Sequence, residues 1–353
     1  MVRKYRTAIR SLALLAGAAL AFSIGTAAGQ PAAGAEGLWV AGENNVSVFQ
    51  GQALQHSGEP NPHISFTIKD YFGPLSMVFD RHNNLWIASS GMDDGRFPIV
   101  EISRAHVASV KNGKIVKRRV IFPKGIGTPW GGLAFDGAGN LWASSLKDVL
   151  KLPAAQIEQK RVPSPSVVLS EPFFLNAPNV RRFDASGNLW VSTAQMWRFA
   201  PADRRVSGLP NPSLKVNLPD ALSAVDVAFD NSGNMWVAGV GSQSDELEMI
   251  LADDLGGSGE ISPSAAVTIT SAAFGPVGSS SCLGGMDFDR SGDLWVSVFG
   301  GGGDCEANSQ IVEFTPGQLS VGGSLAPSIT IGQNSTMTNL FLPGPIRFGP
   351  TVK

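Results

Sequence analysis

Residues 133–145 read LAFDGAGNLWASS, and four other stretches repeat the pattern: MVFDRHNNLWIAS at 77–89, RRFDASGNLWVST at 181–193, VAFDNSGNMWVAG at 227–239 and MDFDRSGDLWVSV at 286–298. Phe and Trp stand seven apart in all five, as Phe79/Trp86, Phe135/Trp142, Phe183/Trp190, Phe229/Trp236 and Phe288/Trp295. Each stretch reads as two short strands rich in Val, Phe and Trp around a tight D-x-x-G-N turn or a near equivalent. The turn Asp accepts backbone N–H bonds, and the Gly supplies a positive φ. Self-similarity of this kind marks a repeat architecture.

A third strand follows each hairpin, in VSVFQGQAL, IVEISRAHV, VLKLPAAQI, MWRFAPADR, MILADDLGG and IVEFTPGQL. A fourth, outer strand comes next, introduced by Pro in NPHISFTI, SPSVVLS, NPSLKVNL, SPSAAVTI and APSITIG; the second unit has KRRVIF instead. Pro suits the start of an edge strand, which can spare its N–H. The first unit starts at Gly37-Leu38-Trp39-Val40 without a Phe-bearing inner strand, and the chain ends with Pro345-Ile346-Arg347-Phe348-Gly349-Pro350, which is that strand. Pairing Phe348 with the Trp39 unit completes six four-stranded sheets and closes a ring. Roughly 318 residues over six units gives about 53 each, the size of a propeller blade. The expectation is an all-β, six-bladed β-propeller of residues 36–353, closed by N- and C-terminal strands that share one blade.

Composition agrees and narrows the function. The chain is 43% hydrophobic and only 16% charged, with a net charge of −2. That excludes a disordered chain and carries no basic signal for nucleic acid. Residues 1–35 have the order of a signal peptide: Arg3, Lys4, Arg6 and Arg10, an apolar run from Ser11 to Ile24, then small residues to Ala35. Cleavage between about Ala28 and Ala35 would leave a secreted or periplasmic protein with no membrane span, expected to be a monomer. Its charge falls from −2 to −6 with those four cations removed. In that oxidising setting Cys282 and Cys305 are expected to pair, with Cys282 opposite about Gly300 or Gly301 across the hairpin.

The repeated aromatic rings, with Trp39 and Phe348, read as packing between blades. The turn acids Asp80, Asp136, Asp184, Asp230 and Asp289 lack the alternating acids and final Glu of a calcium loop, so they read as turn residues. A ligand face is expected on the loops at the opposite end, where Tyr71, Asp93, Asp94, Arg96, Trp130, Asn176, Asn179, Asp220, Asp226 and Asp245 collect aromatic rings and charge. The chain's four histidines, His56, His63, His82 and His106, all precede residue 107. No nucleophile elbow, zincin, phosphate-loop or Cys-His zinc spacing occurs.

The AFDxxGNLWVA unit resembles the NHL-type repeat and the six-bladed group of regucalcin/gluconolactonase-like proteins and streptogramin (virginiamycin B) lyases, over residues 37–350. The gluconolactonase resemblance implies a divalent metal held four residues before the repeat Phe. Those positions here are Leu75, Gly131, Asn179, Val225, Gly284 and Gly344. Asn179 alone matches, with Asp226 one place off. The lyase resemblance implies a His, a Glu and magnesium in later blades, where this chain has no His. Two expectations follow. One is an exported, non-catalytic module binding a small molecule, carbohydrate or protein on its loop face. The alternative is a metal-dependent lactonase or lyase, using calcium or magnesium, with a diverged site at Asn179, Asp226 and Asp93. Gly/Ser/Pro-rich connections near Ser279 and Ser320 to Ser324 also suggest surface assembly through blade edges.

Overall fold

A computed structural model describes residues 36–43, 45–68, 72–91, 98–109, 113, 118–123, 129–159, 163–170, 172, 174, 178–219, 222–241, 244–275, 282–300, 309–334, 340 and 343–352. Six antiparallel sheets form the blades of a propeller. Blade one holds Ile346–Pro350, Glu36–Ala41, Asn45–Phe49 and Ile64–Thr67, from axis to rim. Blade two holds Phe72–Phe79, Leu85–Gly91, Ile99–Ile102 and Arg119–Ile121. Blade three holds Pro129–Phe135, Leu141–Ser145, Val149–Leu152 and Val167–Leu169. Blade four holds Asn179–Phe183, Leu189–Ser192, Met196–Phe199 and Leu214–Val216. Blade five holds Ser223–Phe229, Met235–Val240, Asp245–Ile250 and Val267–Thr270. Blade six holds Leu283–Phe288, Leu294–Val298, Gln310–Phe314 and Ile329–Gly332. The ring closes in blade one, where Leu38 faces Phe348 and Glu36 faces Pro350. Among the described residues no helix is long and apolar enough to cross a membrane.

The repeat motif is a hydrogen-bonded unit. In blade three, Asp136 Oδ1 accepts from Ala138 N (3.0 Å) and Asn140 N (2.9 Å), closing the turn at Gly139, whose φ is 79°. Its Oδ2 accepts from Asn140 Nδ2 (2.9 Å) and from the Trp142 indole (3.0 Å). The indole bond recurs from Trp86 to Asp80, Trp190 to Asp184, Trp236 to Asp230 and Trp295 to Asp289, at 2.9 to 3.3 Å. Blade one has Gly349 in place of the Asp, and Trp39 donates instead to Pro350 O at 3.0 Å. Each acid is therefore spent holding its own turn and fixing a buried indole.

That fixed indole packs across the blade interface. Trp39 meets Phe79 (5.2 Å between centroids), Trp86 meets Phe135 (5.7 Å) and Trp142 meets Phe183 (6.3 Å). Trp190 meets Phe229 (5.9 Å), Trp236 meets Phe288 (6.5 Å) and Trp295 meets Phe348 (6.2 Å). Each of these six Trp rings packs on the Phe of the next blade, mostly edge to face, the geometry favoured by ring quadrupoles. Six such contacts carry the ring around to its start.

Two features exceed the expected four strands per blade. Gly259–Ile261, from blade five, adds in parallel to the outer strand of blade four, and Gly323–Ser324, from blade six, adds to that of blade five. Single bridges repeat the device. Gly113 N bonds Ser65 O (2.9 Å) on blade one, Gly208 N bonds Val168 O (2.9 Å) on blade three, and Gly58 N bonds Thr330 O (2.9 Å) on blade six. An exposed outer edge would otherwise offer its N–H and C=O groups to other chains. The second feature is a β-bulge in each innermost strand of blades two to six. The bulge in blade six sets Phe299 N on Cys282 O (2.8 Å), so Cys282 faces Phe299 rather than Gly300 or Gly301. Cys282 is buried; Cys305 lies outside the described residues.

Candidate functional site

Innermost strands alternate between the axis and the blade interfaces. The residue two before the repeat Phe faces an interface and is buried and apolar in five blades: Met77, Leu133, Val227, Met286 and Ile346. Blade four has Arg181 there. Its bulge falls at Arg181 itself, between Val180 and Arg182, whereas those of blades two, five and six fall earlier, at Leu75, Val225 and Gly284. A bulge re-aims the side chain of its extra residue. Arg181 lines both cavities on the axis, and its guanidinium spans from Ser192 of its own blade to the innermost strand of blade five.

The larger cavity, about 180 Å³, opens on the face of the D-x-x-G-N turns. All six repeat rings, Phe79, Phe135, Phe183, Phe229, Phe288 and Phe348, line it. Val78, Ala134, Arg182, Asp287 and Arg347, each just before a repeat Phe, line it as well. At its edge Glu36 pairs with Arg290 at 2.7 Å, and burial raises the Glu36 pKa although Arg290 opposes it.

Charges at the axis bind blades together. Arg182 of blade four reaches blade six, donating from Nη1 to Asp287 Oδ1 (2.6 Å) and from Nη2 to Met286 O (2.6 Å). Asp287 Oδ2 accepts from Phe348 N of blade one at 2.8 Å. Arg347 Nη1 donates to Asp226 Oδ2 of blade five (3.1 Å), Met286 O (3.1 Å) and Ile346 O (2.7 Å). Burial works against the Arg182 charge, but Asp287 and Asp226 outweigh it and hold its pKa above the ordinary value. Burial likewise pushes Asp226 up, yet Arg347, Arg182, Arg181 and the Met286 N–H together hold its carboxyl below the usual range.

Arg181 is bound differently. Nε donates to Ser192 Oγ (2.7 Å), Nη2 to Ala224 O (2.7 Å) and Nη1 to Val225 O. These acceptors are neutral. Burial lowers its pKa to about 10, with Asp226 opposing and Arg347 adding to the fall.

The smaller cavity, about 20 Å³, joins Asn179 and Asp226, two of the residues expected from the sequence. They do not suit a divalent metal. Asp226 Oδ1 already accepts from Val227 N (2.9 Å), and Oδ2 from Met286 N (3.1 Å) as well as Arg347. Arg181 and Arg347 line the same cavity, so a dication would sit among guanidinium groups with too few free oxygen donors. Among the described residues no three His, Cys, Asp or Glu are placed to hold a metal.

Asp245 lies elsewhere, at the start of a third strand, where its Oδ2 accepts from Cys282 N at 2.7 Å. Trp130 falls on the strand Pro129–Phe135 rather than on a loop. Tyr71, Asp93, Asp94, Arg96, Asn176 and Asp220 lie outside the described residues. Arg181, Arg182, Asp287 and Arg347 were missed by sequence reasoning. Their signal is visible once the five repeats and the closing strand are superposed: charge at the two positions before Phe, where other blades carry apolar residues.

No known protein-family pattern matches the chain, and no curated protein matches it. Solved structures do. A protein of unknown function from Bacteroides caccae aligns with a TM-score of 0.56 at 11% identity, covering 90% of this chain and 100% of that one. A catalytically inactive virginiamycin B lyase from Staphylococcus aureus, solved with quinupristin, gives 0.46 at 12% identity, covering 80% and 82%. The extracellular domain of a putative hybrid two-component system from B. thetaiotaomicron gives 0.44 at 14% identity, covering 76% of this chain and 31% of that one. By its six blades, and by likeness at the level of fold, this chain is a six-bladed β-propeller.

Proposed function

We propose that the protein is an exported propeller that binds a small-molecule ligand in the axial chamber on its turn face. The observation that carries this reading is the chamber itself, about 180 Å³ and ringed by six phenyl groups, with Arg181 in its lining where the other blades carry an apolar residue. A position that other blades fill with an apolar side chain has here been given a guanidinium at a cost in desolvation. The reading moves the ligand from the loop face to the opposite end of the axis. Export rests on the residue order of positions 1–35, and that compartment suits a Cys282–Cys305 bridge.

The test is thermal unfolding of the mature protein against a panel of small organic acids, amines and alcohols, in the wild type and in Val78→Trp. Val78 is half-buried on the chamber wall, so the indole fills the space. Ligands that raise the melting temperature of the wild type and leave Val78→Trp unmoved support the reading. Ligands that act equally on both proteins contradict it.

A further inference from the structure

We infer, on the reading that the axial chamber is the ligand site, that its ligand is an uncharged molecule built on a single aromatic ring. The charges around the chamber argue against an ion of either sign. Together the chamber and the smaller cavity beside it bring four arginines against four carboxylates. Arg182 is matched by Asp287, Arg290 by Glu36 and Arg347 by Asp226. Asp289 is the fourth acid and Arg181 the fourth cation, and both are engaged. Asp289 accepts from Ser291 N (2.8 Å), Asp293 N (3.0 Å) and Trp295 Nε1 (3.3 Å). The Arg181 guanidinium is held on Ser192, Ala224 and Val225, none of which lines the chamber. An ion entering this space would give up its hydration where every charge is already answered.

The rest of the wall, and its volume, fix the body of the ligand. The uncharged lining is apolar: the six repeat phenyl groups with Val78, Leu133 and Ala134. An apolar cavity of ~150 Å³ takes up a benzene molecule. At about 180 Å³ this chamber is of that size and well below the ~300 Å³ at which drug-sized pockets begin, so one ring fills it. Each phenyl group is already pinned by a Trp, from Trp39 on Phe79 round to Trp295 on Phe348. The wall is therefore ordered before a guest arrives, which lowers the cost of binding. Against such a wall an aromatic guest makes ring–ring contacts that a saturated ring of equal size lacks. The chamber opens on the turn face, so a hydroxyl on the ring can stay in water at its mouth.

Calorimetric titration with benzyl alcohol, benzoate, benzylamine and cyclohexylmethanol tests this on the wild type and Val78→Trp of the mature protein. Benzyl alcohol is expected to bind the wild type about tenfold or more tighter than benzoate and benzylamine, which keep the ring and add a charge. Cyclohexylmethanol, which keeps the hydroxyl and loses the aromatic ring, is expected to bind several-fold more weakly than benzyl alcohol. Val78→Trp should abolish binding of all four. Benzoate or benzylamine binding as tightly as benzyl alcohol, yet blocked by Val78→Trp, would overturn the uncharged ligand while keeping the chamber. Cyclohexylmethanol binding as tightly, and likewise blocked, would overturn the aromatic ring while keeping the chamber. Absence of binding by every probe, or binding that Val78→Trp leaves unchanged, would overturn both this inference and the site reading. Should Val78→Trp fail to fold, Val78→Phe takes its place, and the order of the four affinities on the wild type still decides charge and ring.

Discussion

Asp293→Asn is expected to stabilise the protein, and to do so more at pH 8 than at pH 5. In blades two to five the fifth turn residue is Asn84, Asn140, Asn188 or Asn234, whose Nδ2 donates to the turn Asp at 2.8 to 2.9 Å. Blade six has Asp293 there, which can donate only when protonated. Facing it is Glu313, 6% exposed, paired in register with Trp295. Equivalent third-strand residues in blades two to four are Glu101, Lys151 and Arg198, and the first has Arg119 at 2.7 Å; blades one and five have the apolar Val48 and Met249. Among the described residues Glu313 has no such cation. Burial, then Asp293 and Asp289, push its pKa up to about 7, and burial and Asp289 raise Asp293 too.

A carboxyl with a raised folded-state pKa stabilises the fold fully below its unfolded value near 4.5, and that contribution is lost as pH rises toward 7. A rise of that size corresponds to roughly 3 kcal/mol, and solvent screening at this turn reduces it to about 1–2 kcal/mol at pH 8. Asp293→Asn removes one of the interacting acids and restores the amide donor to Asp289. For a domain of this size the gain is about 2–5 °C at pH 8, and clearly less at pH 5. Differential scanning calorimetry at both pH values reads it, with Asn140→Asp as a control expected to lose stability. Equal shifts at the two pH values, or a fall at pH 8, would refute the electrostatic account of this turn.

Arg182→Ala should cost about 3–5 kcal/mol in urea unfolding, because Asp287 stays buried without its cation, while an Arg182→Met/Asp287→Leu pair costs much less. Gly132→Ala should cost several kcal/mol or prevent folding, since its Cβ would lie 1.5 Å from Val180 O, where the innermost strands of blades three and four meet. Intact-mass analysis of exported protein should show an N-terminus between residues 28 and 36 and no alkylation without reductant. A free thiol at Cys282 would count against the bridge.

The fold was legible because each repeat encodes one self-contained device: an Asp that closes a turn and holds an indole, and an indole placed for the next blade's Phe. Register was less legible. Bulges show no compositional mark, and a single bulge moved the residue facing Cys282 from Gly300 to Phe299. The parallel strand additions were not visible either, since they pair residues from different blades through two or three backbone bonds. Attention to the loop residues missed the axial charges, because Arg181 and Arg182 lie inside a repeat whose Phe and Trp explain themselves. Arg181 in particular would be assigned to an interface by simple alternation, and the displaced bulge that accompanies its place beside both axial cavities leaves no mark in the sequence. Asn179 and Asp226 line one small cavity, with guanidinium groups beside them in place of further oxygen donors.

A crystal structure of the mature protein grown with the compound that raises its melting temperature the most tests the central claim most directly. The account predicts that compound between the repeat phenyl groups on the turn face. A compound bound on the loop face, or an axial chamber empty at saturation, would contradict it.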